Sequence, residues 1–204
     1  MKIICIGQNY SEHNKEMKFT PSGTAPVFFM KGENALVRNG DPFFYPDFSK
    51  EVHHEIEIVL KISKTGKNID RKFAHKYFDE LTVGIDFTAR DLQAEAKKKG
   101  QPWELAKAFD YSAPVGKFIP KTDFVNVYTI PFHLDINGTT IQTGNTRDLL
   151  NQFDVLIEYV SKFVTLKMGD LLFTGTPAGV GPVSIGDKLE GYIGIEKLLE
   201  CNVR

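Results

Sequence analysis

The chain has 204 residues, with 25 Lys and Arg against 26 Asp and Glu, and 42% of it is hydrophobic. A net charge of −1 excludes the strongly basic face that nucleic acid or a membrane surface recruits, and the composition is too apolar for a disordered chain. Cys5 and Cys201 stand at opposite ends without zinc spacing, the usage of a reducing cytoplasm, and no apolar run reaches the length of a secretory or membrane segment. One domain over residues 1–204 is expected.

Residues 2–6 read as a short strand ending at Gly7, and the polar stretch 10–18 has helical character with little apolar face. Phe28-Phe29-Met30 is a buried run. Residues 55–62 alternate, with Ile56, Ile58, Leu60 and Ile62 on one face, which predicts a half-buried strand. Residues 64–70 are turn-like, 71–77 a short helix and 81–87 the next strand. Thr88, with Asp91 three residues on, forms an acidic variant of the capping box and predicts a helix from 88 to 99, closed by Lys97-Lys98-Lys99-Gly100. Asn137-Gly138 fits a type I′ turn inside a hairpin over 133–141. Asn145 or Thr146 caps a long helix to about Phe163, with Leu149, Phe153, Leu156, Ile157 and Val160 on one face. Residues 170–203 are strands and glycine-rich turns. Strands without a βαβ rhythm predict an α+β fold with a mainly antiparallel sheet system.

Several groups of residues carry chemistry. Glu55 and Glu57 are two apart in a strand and share a face; Asp86 ends an apolar strand. Three carboxylates suit a hard cation that takes oxygen ligands and keeps exchangeable positions. Arg90, Gln93 and Lys97 fall on one helix face; an arginine fork near a metal suits a substrate carboxylate, whereas Lys97 reads as solvated. Lys107 is a lone lysine among apolar neighbours, as fits either a snorkelling side chain or a charge near the site. The loop Gly175-Thr176-Pro177-Ala178-Gly179-Val180-Gly181 is no P-loop, but its N–H groups and the Thr176 hydroxyl suit an anion. His13 and Glu16 are three apart, so a helix would put the carboxylate beside the imidazole; taken alone they read as surface residues.

In order and spacing these pieces resemble the fumarylacetoacetate hydrolase family, most closely its small branch of acylpyruvate hydrolases and oxaloacetate decarboxylases. The resemblance runs from Gly7-Gln8-Asn9-Tyr10 to the last strand and is most specific from Asp86-Phe87-Thr88-Ala89-Arg90-Asp91 to Leu105-Ala106-Lys107. It implies a β-roll or sandwich with flanking helices, usually as a homodimer, with a mobile lid near residues 8–20. It implies that Glu55, Glu57 and Asp86 ligate Mg²⁺ or Mn²⁺. Arg90, Gln93, Thr176 and Lys31 would bind a small keto-acid substrate, although Gly32-Glu33-Asn34 departs from the Pro-Ser expected after Lys31. His13, Glu16 and Lys107 would act in catalysis. The expected activity is metal-dependent hydrolysis of a carbon–carbon bond in an acylpyruvate, with oxaloacetate decarboxylation, diene-dioate isomerisation and oxaloacetate tautomerisation as the alternatives.

Overall fold

The strand Ile56–Ile62 lies inside the large sheet and is covered on both sides. Its period of two divides its side chains between two clusters. Ile56, Ile58, Leu60 and Ile62 face the main core, and Val59 faces a second cluster with Ile3, Cys5 and Phe173. The half-buried strand expected from sequence is therefore buried on both faces except at Lys61, because a second layer closes over the face that carries Glu57. Each of the aliphatic residues contributes roughly 1.5–3 kcal/mol by its burial.

The computed structural model describes residues 1–17, 25–38 and 40–204. The large sheet runs in the order Val27–Lys31, Ile3–Gly7, Leu171–Phe173, Ile56–Ile62, Phe78–Ile85, Ala113–Val115, Leu36–Arg38, and Ile119–Pro120 pairs separately with Phe78–Ile85. A second sheet, in the order Thr139–Asn145, Pro131–Ile136, Lys188–Ile193, Glu196–Asn202, packs against the first; Gly191 in it lies close to Val83 and Ile56. A short ribbon joins Gly181–Pro182, Val52–His54 and Thr88–Ala89. Among these strand pairs only Ile3–Gly7 with Leu171–Phe173 and Leu36–Arg38 with Ala113–Val115 are parallel. The fold is α+β and mostly antiparallel, as the pattern predicted.

Four α-helices are described: α1 (Ser11–Glu16), α2 (Arg90–Lys99), α3 (Glu104–Lys107) and α4 (Phe153–Phe163). The hairpin forms as expected, with φ of 52° at Asn137 and 78° at Gly138, the two positive values a type I′ turn requires. Two helix starts differ from expectation. Thr88 is in a strand and α2 begins at Arg90. The Thr88 hydroxyl is taken by Lys107, while Asp91 accepts from Ser49 Oγ and the Lys50 N–H and so anchors the preceding loop. Asn145 caps only a single 3-10 turn, Thr146–Asp148, and α4 starts later, at Phe153. Between them Leu150 and Asn151 donate their N–H groups to the Asn9 main chain and side chain. That interaction with a distant segment draws the backbone out of the helix.

Candidate functional site

Two antiparallel strands build the floor of the site. Ile56 pairs with Ile85 and Glu57 with Gly84, and the Asp86 N–H donates to the Glu55 carbonyl at 2.9 Å. This register sets Asp86 opposite Glu55, so the three carboxylates converge, each offering an oxygen within 4.8 Å of the others. All three residues are buried.

Their surroundings are unequal. Lys107 Nζ donates to Glu55 Oε2 at 2.8 Å, to Asp86 Oδ2 at 2.7 Å and to Thr88 Oγ1 at 2.5 Å. Burial works against both Glu55 and Lys107 as ions. For Glu55, the Lys107 and Arg90 charges outweigh it and hold the carboxyl well below its usual range. For Lys107, the Asp86 and Glu55 charges outweigh it and hold the ammonium above its usual value. Glu57 has no ion-pair partner among the described residues and accepts one short bond, from the Gly175 N–H at 2.7 Å. Burial, then Asp86 and Glu55, push its pKa far up. Asp86 Oδ1 is buried with no hydrogen-bond donor, although the Lys31 ammonium lies 2.8 Å away as an ion pair. A buried acidic triad in which one carboxylate, Glu57, has no cationic side chain beside it among the described residues fits a divalent cation bound through oxygen.

The remaining walls come from far along the chain. Arg90 Nη2 donates to Glu55 Oε1 at 2.6 Å and Nη1 to Gln93 Oε1 at 2.7 Å, so its fork is already committed within the site. The glycine-rich loop is likewise engaged: the Gly175 N–H serves Glu57 and the Gly179 N–H serves Glu16 at 3.1 Å. Gly175 has a φ of 103°, and an added Cβ would lie 2.8 Å from the Asn9 side chain; a larger residue would push the loop off Glu57. Helix α1 brings His13 into the buried interior, with Nδ1 3.4 Å from Glu16 Oε2. The surface reading is thus corrected for His13, whereas Glu16 is exposed. Burial lowers the His13 pKa, opposed by Glu55 and Glu16, so the imidazole is neutral near pH 7. Beside it Gln8 holds a φ of 61°, which is unusual for a non-glycine residue.

His13, Glu55, Glu57, Asp86, Arg90, Gln93, Lys107 and Thr176 line one small cavity together with Gly7, Gln8, Phe29 and Trp103. Lys31 does not line it. Its ammonium, expected at the substrate, sits behind Asp86, ringed by the carbonyls of Phe87, Lys107 and Ser112 and by Ser112 Oγ, and faces Asp86 as a counter-charge. Glu16 stands at the edge, tying α1 to the loop. The expected lid is described only in part, since residues 18–20 lie outside the described residues. Lys97, expected in solvent, is half-buried with Nζ 5.5 Å from the centre of the Trp103 ring. Sequence reading missed Gln142, whose Nε2 donates to Thr176 Oγ1 and the Pro177 carbonyl while its Oε1 faces His54 Nδ1 and the Ile56 N–H. One glutamine in an otherwise polar strand carries no signal.

Comparison with known proteins agrees with this geometry. The family described as Fumarylacetoacetate (FAA) hydrolase C-terminal matches residues 2–203. Oxaloacetate tautomerase FAHD1, mitochondrial, of Mus musculus is 40% identical over 191 residues, covering 94% of this chain and 86% of its own. Oxaloacetate tautomerase YcgM of Escherichia coli K12 is 42% identical over 193 residues, covering 92% and 86%. The crystal structure of fumarylpyruvate hydrolase from Pseudomonas aeruginosa in complex with Mn²⁺ and pyruvate superposes with a TM-score of 0.92 at 36% identity, covering 100% of this chain and 89% of that one. Among the described residues no helix is long and apolar enough to cross a membrane. With its motifs brought to one cavity and the match running nearly end to end, the chain belongs to the fumarylacetoacetate hydrolase family.

Proposed function

We propose that this protein is a divalent-metal-dependent enzyme that interconverts the enol and keto forms of oxaloacetate. The observation that carries this reading is a buried, neutral imidazole, His13, in the same cavity as a carboxylate triad suited to a hard cation. The names of the mouse and E. coli relatives support it. Glu55, Glu57 and Asp86 would hold Mg²⁺ or Mn²⁺, which when bound supplies Lewis acidity toward the carboxylate and 2-oxo oxygens of a pyruvate-like head.

The chain's own groups account for the proton transfer. From the keto form, His13 takes a proton at C3, and the electron pair of that C–H bond becomes the C2–C3 double bond while charge moves to the 2-oxygen. The Lys107 ammonium offsets that charge, and its ion pairs with Glu55 and Asp86 keep it a cation rather than a base. The proton held on His13 returns to the 2-oxygen to give the enol, and the reverse sequence gives the keto acid. Glu16, fixed by the Gly179 N–H, holds the imidazole orientation. Gln93, whose Oε1 is held by Arg90, would orient the head carboxylate through its amide N–H.

A second reading rests on the same pair. If His13 takes a proton from water instead, the hydroxide attacks the distal carbonyl of an acylpyruvate, the bond from that carbon to C3 breaks with its electron pair passing into the pyruvate enolate, and His13 returns the proton to C3 to give pyruvate beside the carboxylic acid. The fumarylpyruvate hydrolase of similar structure favours it.

The test is steady-state kinetics of the Mg²⁺-loaded protein on enol-oxaloacetate, acetylpyruvate and fumarylpyruvate. Tautomerisation should have the largest kcat/KM, and His13→Ala should lower it about 10²–10⁴-fold with Mg²⁺ affinity unchanged by calorimetry. Because the His13 pKa is lowered, the active neutral form predominates at pH 7. The rate should fall only on acidification through a pKa below 6.5. Faster cleavage of either acylpyruvate would replace the first reading with the second; an unaltered His13→Ala would sink both.

A further inference from the structure

Phe29 and Trp103 form one wall of the cavity, their ring centres 6.1 Å apart and the rings edge to face. A cation sits at each end of this wall. Lys107 Nζ lies 5.1 Å from the Phe29 ring, at the buried end beside the triad, and Lys97 Nζ lies 5.5 Å from the Trp103 ring, at the half-buried end. Lys97 stands one turn beyond Gln93 on α2, just outside the residues that line the inner cavity. Its stem is thereby directed along the wall rather than away from it.

We propose that Lys97 is a specificity-determining residue whose ammonium binds the second carboxylate of a dicarboxylate keto acid held by its head at the triad. This rests on the reading of the cavity as a site for pyruvate-like heads. Charge supports it. The buried carboxylates Glu55, Glu57 and Asp86 are matched in number by the buried cations Lys31, Arg90 and Lys107. A divalent cation together with a singly charged head would leave this cluster positive, Lys97 adds to that excess, and a second carboxylate reduces it. Placing another ammonium here has a cost: burial, and then the Arg90 charge, lower the Lys97 pKa to about 8, Lys107 adds to the effect and Glu55 opposes it. An anion bound at this end relieves that cost.

The chain has a single tryptophan, so Trp103 emission reports directly on this wall without turnover. L-Lactate and L-malate share a 2-hydroxycarboxylate head and differ by the second carboxylate alone. Titrated into the Mg²⁺-loaded protein at pH 7, malate should bind about tenfold more tightly than lactate, the scale of one charge-assisted contact. Lys97→Gln should abolish that preference by weakening malate alone, and Lys97→Arg should retain it. The wild-type preference should fade as pH rises through about 8, where Lys97 loses its proton, and the Gln variant should show no such fading. An equal affinity of wild type for both acids, or a malate preference that survives Lys97→Gln, would overturn the assignment. Failure of both acids to bind would instead remove the keto-acid reading on which it rests.

Discussion

Lys107 and Lys197 each bridge two carboxylates at nearly the same distances. Lys107 Nζ is 2.8 Å from Glu55 and 2.7 Å from Asp86; Lys197 Nζ is 2.8 Å from Glu190 and 2.9 Å from Glu200. Lys188 extends the second group by reaching the same two glutamates at 3.0 and 3.2 Å. The first cluster is buried where two strands of the large sheet end, against α3, and the second lies on the solvent face of the hairpin Lys188–Asn202. Bond length does not separate them; solvent does. On the hairpin, water and salt substitute for either partner at little cost. In the cavity each charge depends on the others, because an ion left alone there cannot recruit water.

The sharpest way to break this comparison is to remove the buried lysine. Lys107→Met leaves Glu55 and Asp86 without their shared cation and should cost about 3–5 kcal/mol of stability in denaturant unfolding of the chelated protein. Turnover should be lost as well. A change near zero would put the two lysines in the same class and undo the argument. Glu57→Gln probes the other side of the cluster, since this carboxylate has no cationic partner. Loss of an outer contact to a metal ligand typically weakens binding 10–100-fold, so loss of the ligand charge itself should weaken Mg²⁺ by more than about 100-fold. The chelated variant should nevertheless melt at or above the wild-type temperature, because burial and the Asp86 and Glu55 charges disfavour an ionised carboxylate at this position and a neutral amide carries no such cost. A lower melting temperature without metal would show that Glu57 is compensated in a way its partners do not reveal. The smallest effect is expected from Lys197→Met. Its melting temperature should be indistinguishable from wild type in moderate salt, with kcat and KM unchanged; a loss approaching that of Lys107→Met would overturn the distinction.

Local chemistry explains which elements could be read in advance. The Asn137-Gly138 turn and the Gly100 helix end, with φ of 64°, depend on the backbone freedom of one or two residues, and both appear where expected. The starts of α2 and α4 depend on partners far away in sequence. Lys107 takes the Thr88 hydroxyl that the capping box needed, and Asn9 takes the Leu150 and Asn151 N–H groups that a longer α4 would have used. A capping motif shows only that a side chain is able to cap, not that it is unengaged.

The site divides along the same line. Period-two alternation in the chain places Glu55 and Glu57 on one face, opposite the isoleucines that bury the strand, and the apolar run 81–85 carries Asp86 to its end. Those statements follow from strand geometry alone. The polar character of α1 is also plain in the sequence, but its docking is not: the Glu16 bond to Gly179 spans most of the chain, and the docked helix buries His13. Lys31 and Lys97 both depart from their expected places for a related reason. A lysine is long enough to reach water or to fold inward, and the composition of its own segment does not choose between them. For Lys31 the carbonyls of Phe87, Lys107 and Ser112 decided it, and for Lys97 the ring of Trp103. The sequence by itself determined which acids share a strand face and which turns close the strands, because those depend on backbone period and on φ. The tertiary structure decided which charges face one another and which are shut off from water, because only the packing of distant segments sets the dielectric around an ion.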